Sequence, residues 1–536
     1  MMAISNRRYP VGIQTFSRIR KDGFVYVDKT DLMWQAQHLS TFVFLSRPRR
    51  FGKSLLSTTF ASFFRGEKEL FQGLKVMQLE RDWVEYPVIH LDLSTTKNLT
   101  EPSELQRKLN LLLKPYKAIY GASDDEITPG DVFAGLINRA FVQTGLPVVV
   151  IIDEYDAPLL EVLHSELLER FRKVMQEFFQ PLKASEAMIR FCFITGITKF
   201  SQLSIFSTIN NLNNISMLPQ FSAICGITES ELHDDLAEDI ALLAEAYEET
   251  PEQMLRRLKE RYDGYHFAKV SEDIYNPFSL FKAFMNKDVS NYWFESGTPS
   301  FLIRQLQHFR TDITALEDIV ADVAAFDVPT EAMQDALPLL YQSGYLTIKG
   351  YSRASEAYTL SIPNQEVRLG LTQGLIPIYS GLNSSDVRLG FAFKFWDALR
   401  HGKLTHALVE MQTYFEGLPY IEGFKQKLAD VTKSEGFYEW TFYLIFSMLN
   451  AYVRTQVKTL RGRADMVVRM PEAIYVFELK INGTAKEALE QINSRGYAIP
   501  YQTAGHKVVK VGIRFSTETL AIESWEIEEQ AVPMSS

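Results

Sequence analysis

Apolar residues in the first 230 positions gather in short continuous runs. Residues 41–46 (TFVFLS), 87–93 (PVIHLDL), 147–152 (PVVVII) and 190–196 (RFCFITG) are the clearest. A continuous β-branched run marks a strand buried on both faces, as in a parallel sheet. Residues 103–120 and 160–184 carry helical periodicity between these runs. Strands alternating with helices predict a parallel α/β sheet. From about residue 229 the pattern changes. Residues 229–263 read as helical and acidic, and 301–345 as two or three further helices. Leu337–Ile348 followed by Ala357–Ile362 gives helix, strand, turn, strand. That is the order of a winged helix, and equally of a helical lid with a hairpin. Residues 384–450 are mostly helical. The tail, 451–536, reads as strand, hairpin, strand, helix, strand. The expected division is 1–228, 229–383 and 384–536.

Composition narrows this little. Among 536 residues, 46% are hydrophobic and 23% charged, ordinary for a globular chain. A formal charge of −10 excludes a uniformly basic surface but not a local basic stripe. Two such runs exist: Arg7, Arg8, Arg18, Arg20 and Lys21, and then Arg454, Lys458, Arg461 and Arg463. Cys192 and Cys225 are too few for a disulfide framework or a four-cysteine zinc site. The N-terminus lacks an apolar leader core, and the longest apolar runs fall short of the ~18–20 residues of a spanning helix. The expectation is a cytoplasmic protein with no membrane partner.

Candidate chemistry begins after the first strand, at Arg47-Pro-Arg-Arg-Phe-Gly-Lys-Ser54. Gly52-Lys53-Ser54 between a strand and a helix suits a phosphate loop. Its backbone N–H groups face the anion, the lysine reaches the terminal phosphates and the hydroxyl holds Mg2+. The strict motif asks for glycine where Arg47 stands. Val148–Ile152 runs into Asp153-Glu154, placing carboxylates at the C-terminal end of a buried strand, beside the crevice of such sheets. Asp153 is the candidate for the Mg2+ shell and Glu154 for activating water. Thr195, ending another strand, is either a γ-phosphate sensor or a satisfied hydroxyl. Arg49 and Arg50 flank the loop, placed to steer phosphate, to serve a neighbouring protomer, or simply exposed.

A second constellation lies in the tail. Gly462-Arg-Ala-Asp465 opens one apolar run, and Ala473–Lys480 forms the next. Glu478 and Lys480, two apart on a strand, share a face. Buried charges are costly unless paired or metal-bound. The set suits metal-assisted phosphodiester hydrolysis. Asp465 and Glu478 are the Mg2+ ligands, and Lys480 orients water or stabilises negative charge. The alternative is a structural Glu–Lys pair. Glu439, Gln491 and Tyr497 are further candidates at this site, and the basic run 454–463 would contact phosphates.

The N-terminal half resembles the AAA-ATPase-like domain of a large bacterial family. The resemblance rests on Pro10–Phe16, Tyr26–Thr30, Phe44–Ser54, Ile152–Pro158, Thr195–Phe200 and Tyr275–Leu280. The C-terminal part resembles a PD-(D/E)XK nuclease domain through Gly462–Asp465 and Phe477–Lys480. The likeness implies a P-loop NTPase core in which Pro-Arg-Arg before the Gly-Lys pair is usual. It also implies a restriction-endonuclease-like domain with Asp465, Glu478 and Lys480 as its site. Related nucleases often carry glutamine and tyrosine four apart on the next helix; here Gln491 and Tyr497 are six apart. The leading expectation is an ATP-dependent or ATP-regulated DNA nuclease using ATP and Mg2+, with mobile-element or anti-phage machinery as its setting. The alternatives are a nucleotide-switched nucleic-acid or protein-binding ATPase with an inactive nuclease module, and a scaffold in which ATP drives homo-oligomerisation.

Overall fold

The computed structural model describes residues 7–416 and 452–530, apart from 98, 161, 164, 199–210, 295–301, 303–304, 307, 310, 312–315, 329–332, 372–393, 396, 400, 460–461, 471–472, 482, 502–506 and 517–521. It divides into two compact units: 1–311 with 318–366, and 312–317 with 367–536.

The first unit is built on a parallel sheet of β1 (Phe42–Ser46), β2 (Val88–Asp92), β3 (Val148–Asp153), β4 (Ile189–Gly196) and β5 (Asn213–Asn214), in the order β2-β3-β4-β1-β5. Every residue of β3 is buried, as its continuous apolar run requires. Helices Pro102–Tyr120, Pro129–Thr144 and Leu167–Ala184 cover one face through Leu109, Phe133, Phe178 and Phe179. The helix expected over 160–184 is split into Ala157–Leu160 and Leu167–Ala184. Ser165 interrupts it, since both its N–H and its hydroxyl donate to the Val162 carbonyl, at 3.0 and 2.7 Å.

The acidic stretch forms helices Glu229–Ala246 and Pro251–Tyr262. Each starts in a capping box, Thr228 with Glu231 and Thr250 with Gln253. The pair β6 (Ile227–Thr228) and β7 (Ile274–Tyr275) sits beside them. Helix Leu337–Gln342 then leads into β9 (Thr347–Ser352) and β10 (Ala357–Ser361). With β8 (Ile319–Ala321) they make an antiparallel sheet of order β8-β10-β9. Pro338, Leu339, Leu340 and Gln342 are buried in that six-residue helix.

The second unit carries β11 (Tyr452–Thr459), β12 (Gly462–Arg469), β13 (Ala473–Lys480), β14 (Lys507–Phe515) and β15 (Ile522–Gln530), in sequential order, with only β13–β14 parallel. The β13–β14 crossover passes through helix Ala485–Arg495. No helix among the described residues is long and apolar enough to cross a membrane.

Candidate functional site

The phosphate loop leaves β1 at Ser46 and enters helix Lys53–Phe64. Arg50 (φ +67°) and Gly52 (φ +96°) adopt the left-handed conformation and turn the chain between them. Lys53 is buried, its amine donating to the carbonyls of Arg47 (2.9 Å) and Pro48 (3.0 Å). Burial lowers its pKa, opposed by Asp153, Glu154 and Asp156.

Arg47 explains how the loop turns without its first glycine. The side chain is 2% exposed. Its guanidinium donates to the carbonyls of Ser46 (2.9 Å), Ser216 (2.8 Å) and Phe221 (2.9 Å) and stacks 4.3 Å over Phe267. Burial pulls its pKa down to about 10. Arg47 therefore clamps the outside of the loop to the 216–222 segment. Pro48 is in close contact with Gly344: a Cβ there would meet Pro48 Cβ at 2.6 Å. The chain leaving the short helix Leu337–Gln342 thus lies beside the phosphate loop, and most of that helix is buried.

Asp153 ends β3 and is buried. Burial pushes its pKa up to about 6, while the Ser54 hydroxyl and the Lys53 amine hold it down. A desolvated carboxylate bonded to the loop serine is a donor pair that a divalent cation would satisfy. Glu154 has φ +48°, its N–H donates to Asp153 Oδ1 at 2.9 Å, and its carboxylate accepts from Lys97 Nζ at 3.1 Å. Thr195 turns inward, its hydroxyl donating to the Leu45 carbonyl at 2.8 Å; this is the satisfied-hydroxyl arrangement. Asp156, which sequence reasoning left without a role, accepts from the N–H groups of Ile197 and Thr198 and from the Thr198 hydroxyl, at 3.0, 2.7 and 2.7 Å. It shapes the turn after β4. Its position two residues past Glu154, in Asp-Glu-Tyr-Asp, was the available signal.

A cavity of about 460 Å³ opens on this loop. Lys53, Lys97 and Glu154 line it together with apolar Val11, Phe278 and Phe281. The N-terminal segment is held there by Arg7 on Asp239 (2.6 Å) and by Lys29 on Glu231 (2.6 Å). Asn276 caps helix Pro277–Asn286, accepting from the N–H groups of Phe278 and Ser279. Arg49 is exposed, whereas Arg50 donates to the Tyr292 carbonyl (2.7 Å) and stacks on Phe278 (3.9 Å). The N-terminal basic run is likewise engaged. Arg8 donates to the Asp22 carbonyl, Arg18 faces Asp22, and Arg20 donates to the carbonyls of Leu70 and Gln72.

In the second unit, Asp465 on β12 and Glu478 on β13 meet. Asp465 N–H points to Glu478 Oε2 at 3.4 Å, and Leu479 N–H donates to Asp465 Oδ2 at 2.8 Å. Glu478 is 1% exposed. Burial, and then Asp465, push its pKa up to about 7, with Lys480 opposing. Lys480 Nζ lies 3.5 Å from Glu478 Oε1, and the Gln491 amide donates to that same oxygen. Two carboxylates brought together in a desolvated site are a place a cation would satisfy. Among the described residues no three His, Cys, Asp or Glu side chains converge into a metal cage. Mg2+ commonly takes one or two carboxylates, the rest of its shell being water and substrate oxygens.

Gly512 brings Gln491 within reach. It pairs in register with Glu478, and a Cβ on it would meet the Ala485 carbonyl oxygen at 2.2 Å and Leu489 N at 2.7 Å. The helix therefore lies low over the sheet. Lys510, buried, pins it further by donating to Asn493 Oδ1 and Glu528 Oε1, both at 2.7 Å. Tyr497 packs in the hydrophobic cluster with Ala464, Val467 and Ile492, against Gly462. Glu439 and Arg461 lie outside the described residues, as do the side chains of Arg454 and Lys458; Arg463 is exposed.

Residues 10–206 match the family model described as "Predicted AAA-ATPase", and residues 433–525 match that of the PD-(D/E)XK nuclease superfamily. A protein of Azotobacter chroococcum mcd 1, described as "Uncharacterized protein in vnfD 5'region", is 33% identical over 538 residues, covering 98% of this chain and 99% of that one. The chain belongs to this AAA-ATPase-like family with a C-terminal nuclease-superfamily domain. The phosphate loop, Asp153–Glu154 and the cluster of Asp465, Glu478, Lys480 and Gln491 fall within the matched segments. The capping residue Asn276 and the cavity-lining Phe278 and Phe281 lie beyond residue 206, outside the ATPase match.

Proposed function

We propose that this AAA-ATPase-like protein is an ATP-regulated, metal-dependent DNA nuclease. The observation that carries the reading is the meeting of Asp465, Glu478, Lys480 and Gln491 in a chain that also has a phosphate loop facing a cavity. In the ATPase unit, Lys53 and the loop N–H groups would bind the phosphates, Ser54 and Asp153 would hold Mg2+, and Val11, Phe278 and Phe281 would receive the base. Glu154 takes the proton of the attacking water as its oxygen bonds to the γ-phosphorus. The bond to the bridging oxygen breaks, and its electron pair leaves with ADP.

In the nuclease unit, Asp465 and Glu478 would hold Mg2+, which when bound supplies Lewis-acid polarisation of the phosphate. Gln491 orients the Glu478 carboxylate. Lys480 holds the attacking water and stabilises the charge developing on the phosphate oxygens. The water oxygen bonds to phosphorus, the P–O bond to the leaving sugar oxygen breaks, and that oxygen ends protonated.

The test is cleavage of circular duplex, linear duplex and single-stranded DNA with Mg2+, with and without ATP. Cutting by the wild type and none by Lys480→Ala is expected. Intact substrates under every condition would sink the proposal.

A further inference from the structure

The cavity is lined by three lysines, and one of them, Lys97, lies outside the family motifs. Lys97 follows β2 through the tight turn Leu93–Thr95, which is fixed by Ser94 N–H on Asp92 Oδ1 (2.9 Å) and by the Thr96 hydroxyl on the Leu93 carbonyl (2.6 Å). Asp92 is in register with Asp153, so the turn delivers Lys97 beside Glu154. Both side chains line the cavity. Their ion pair, 3.1 Å long, is partly exposed at 39% and 28% of the two side chains. Such a pair is weak and exchangeable. Of the other cations that line the cavity, Lys53 donates to two loop carbonyls, Lys29 pairs with Glu231, Arg50 donates to the Tyr292 carbonyl, and Arg49 is exposed.

We infer that Lys97 is the residue that distinguishes a nucleoside triphosphate from a diphosphate. This rests on the nucleotide-binding reading of the cavity. In this structure Lys97 is paired with Glu154. A terminal phosphate carries more charge than a carboxylate and takes the ammonium from it by a charge-assisted hydrogen bond. The exchange releases Glu154, whose left-handed backbone keeps its carboxylate at the cavity edge, to accept a proton from water. Lys97 thereby ties the availability of the base to the presence of the third phosphate.

The experiment measures equilibrium binding of ATP and of ADP, each with Mg2+, to the full chain. Wild type is expected to prefer ATP. Lys97→Met should weaken ATP binding by about tenfold and ADP binding by less than twofold. Lys97→Arg should keep the preference, and Glu154→Gln, which removes the competing carboxylate, should tighten ATP alone. Lys97→Met affecting both nucleotides equally, or neither, overturns the inference while leaving the nucleotide site standing. A wild type that binds neither nucleotide overturns both. Unchanged melting of Lys97→Met separates loss of contact from misfolding.

Discussion

The two sites use the same residue types to opposite ends. In the ATPase unit a backbone loop leads into helix Lys53–Phe64, and the acidic pair at the end of β3 is split: Asp153 turns into the sheet beside Ser54 and Glu154 turns out to Lys97. In the nuclease unit Asp465 and Glu478 lie together on adjacent strands, with Glu478 bonded to Gln491 of the helix. Like charges pressed together and desolvated raise a carboxyl's pKa. Glu478 accordingly reaches about 7, whereas Asp153, relieved by Lys53 and Ser54, reaches about 6. One site relieves its buried carboxylate with a serine and a lysine of its own loop. The other carries an electrostatic cost that a cation removes.

The sharpest way to break this contrast is to disable one site and read the other. Glu478→Ala should lower DNA cleavage by about 10²–10³-fold, the order seen when a charge-stabilising group is removed, and leave ATP affinity unchanged by calorimetry. Lys53→Ala should weaken ATP binding by about 10–100-fold, since a hydrogen bond to a charged group contributes about 1.5–3 kcal/mol. Loss of cleavage in that variant when ATP is present would show that the first site controls the second.

Arg47→Gly restores the strict loop motif, yet it should destabilise the first unit by about 2–3 kcal/mol. It strips donors from the carbonyls of Ser46, Ser216 and Phe221 and opens a cavity over Phe267. A melting temperature equal to wild type would overturn the clamp.

A smaller effect concerns pH, measured in chelator. Glu478 titrates near 7 folded against an ordinary 4.5. The folded state therefore binds the extra proton between those values, and stability falls as pH rises from 4.5 through 7. Glu478→Gln removes that loss. It should melt about 5 °C above wild type at pH 8, a gain of about 2 kcal/mol, and no higher at pH 4.5. Mg2+ added at pH 8 should raise the wild-type melting temperature more than the variant's. Last, Gly512→Ala should cost about 1–2 kcal/mol and reduce cleavage, because the helix must rise off Glu478. Undiminished cleavage would show that Gln491 is dispensable.

Much of this was legible along the chain. The continuous runs identified β1 to β4, because a strand buried on both faces has no reason to alternate. Gly52-Lys53-Ser54 and Asp153-Glu154 stood out because phosphate chemistry needs them adjacent to strand ends. Asp465, Glu478 and Lys480 stood out because charges inside apolar runs require partners. Several features were not legible. The 160–184 periodicity continued across the Ser165 break, since an apolar face does not record which hydroxyl bonds back to a carbonyl. Gln491 and Tyr497, equal candidates by type, separated only when helix Ala485–Arg495 packed: one reaches Glu478, the other enters the core.

Local sequence alone determined the strands, the phosphate loop and the carboxylate pattern, because these depend on spacing within a few residues. Tertiary structure decided the role of Arg47 as a clamp, the approach permitted by Gly512 and the pairing of Lys97 with Glu154. Each of those joins positions 23 to 174 residues apart, through contacts that only the packed sheet brings within reach.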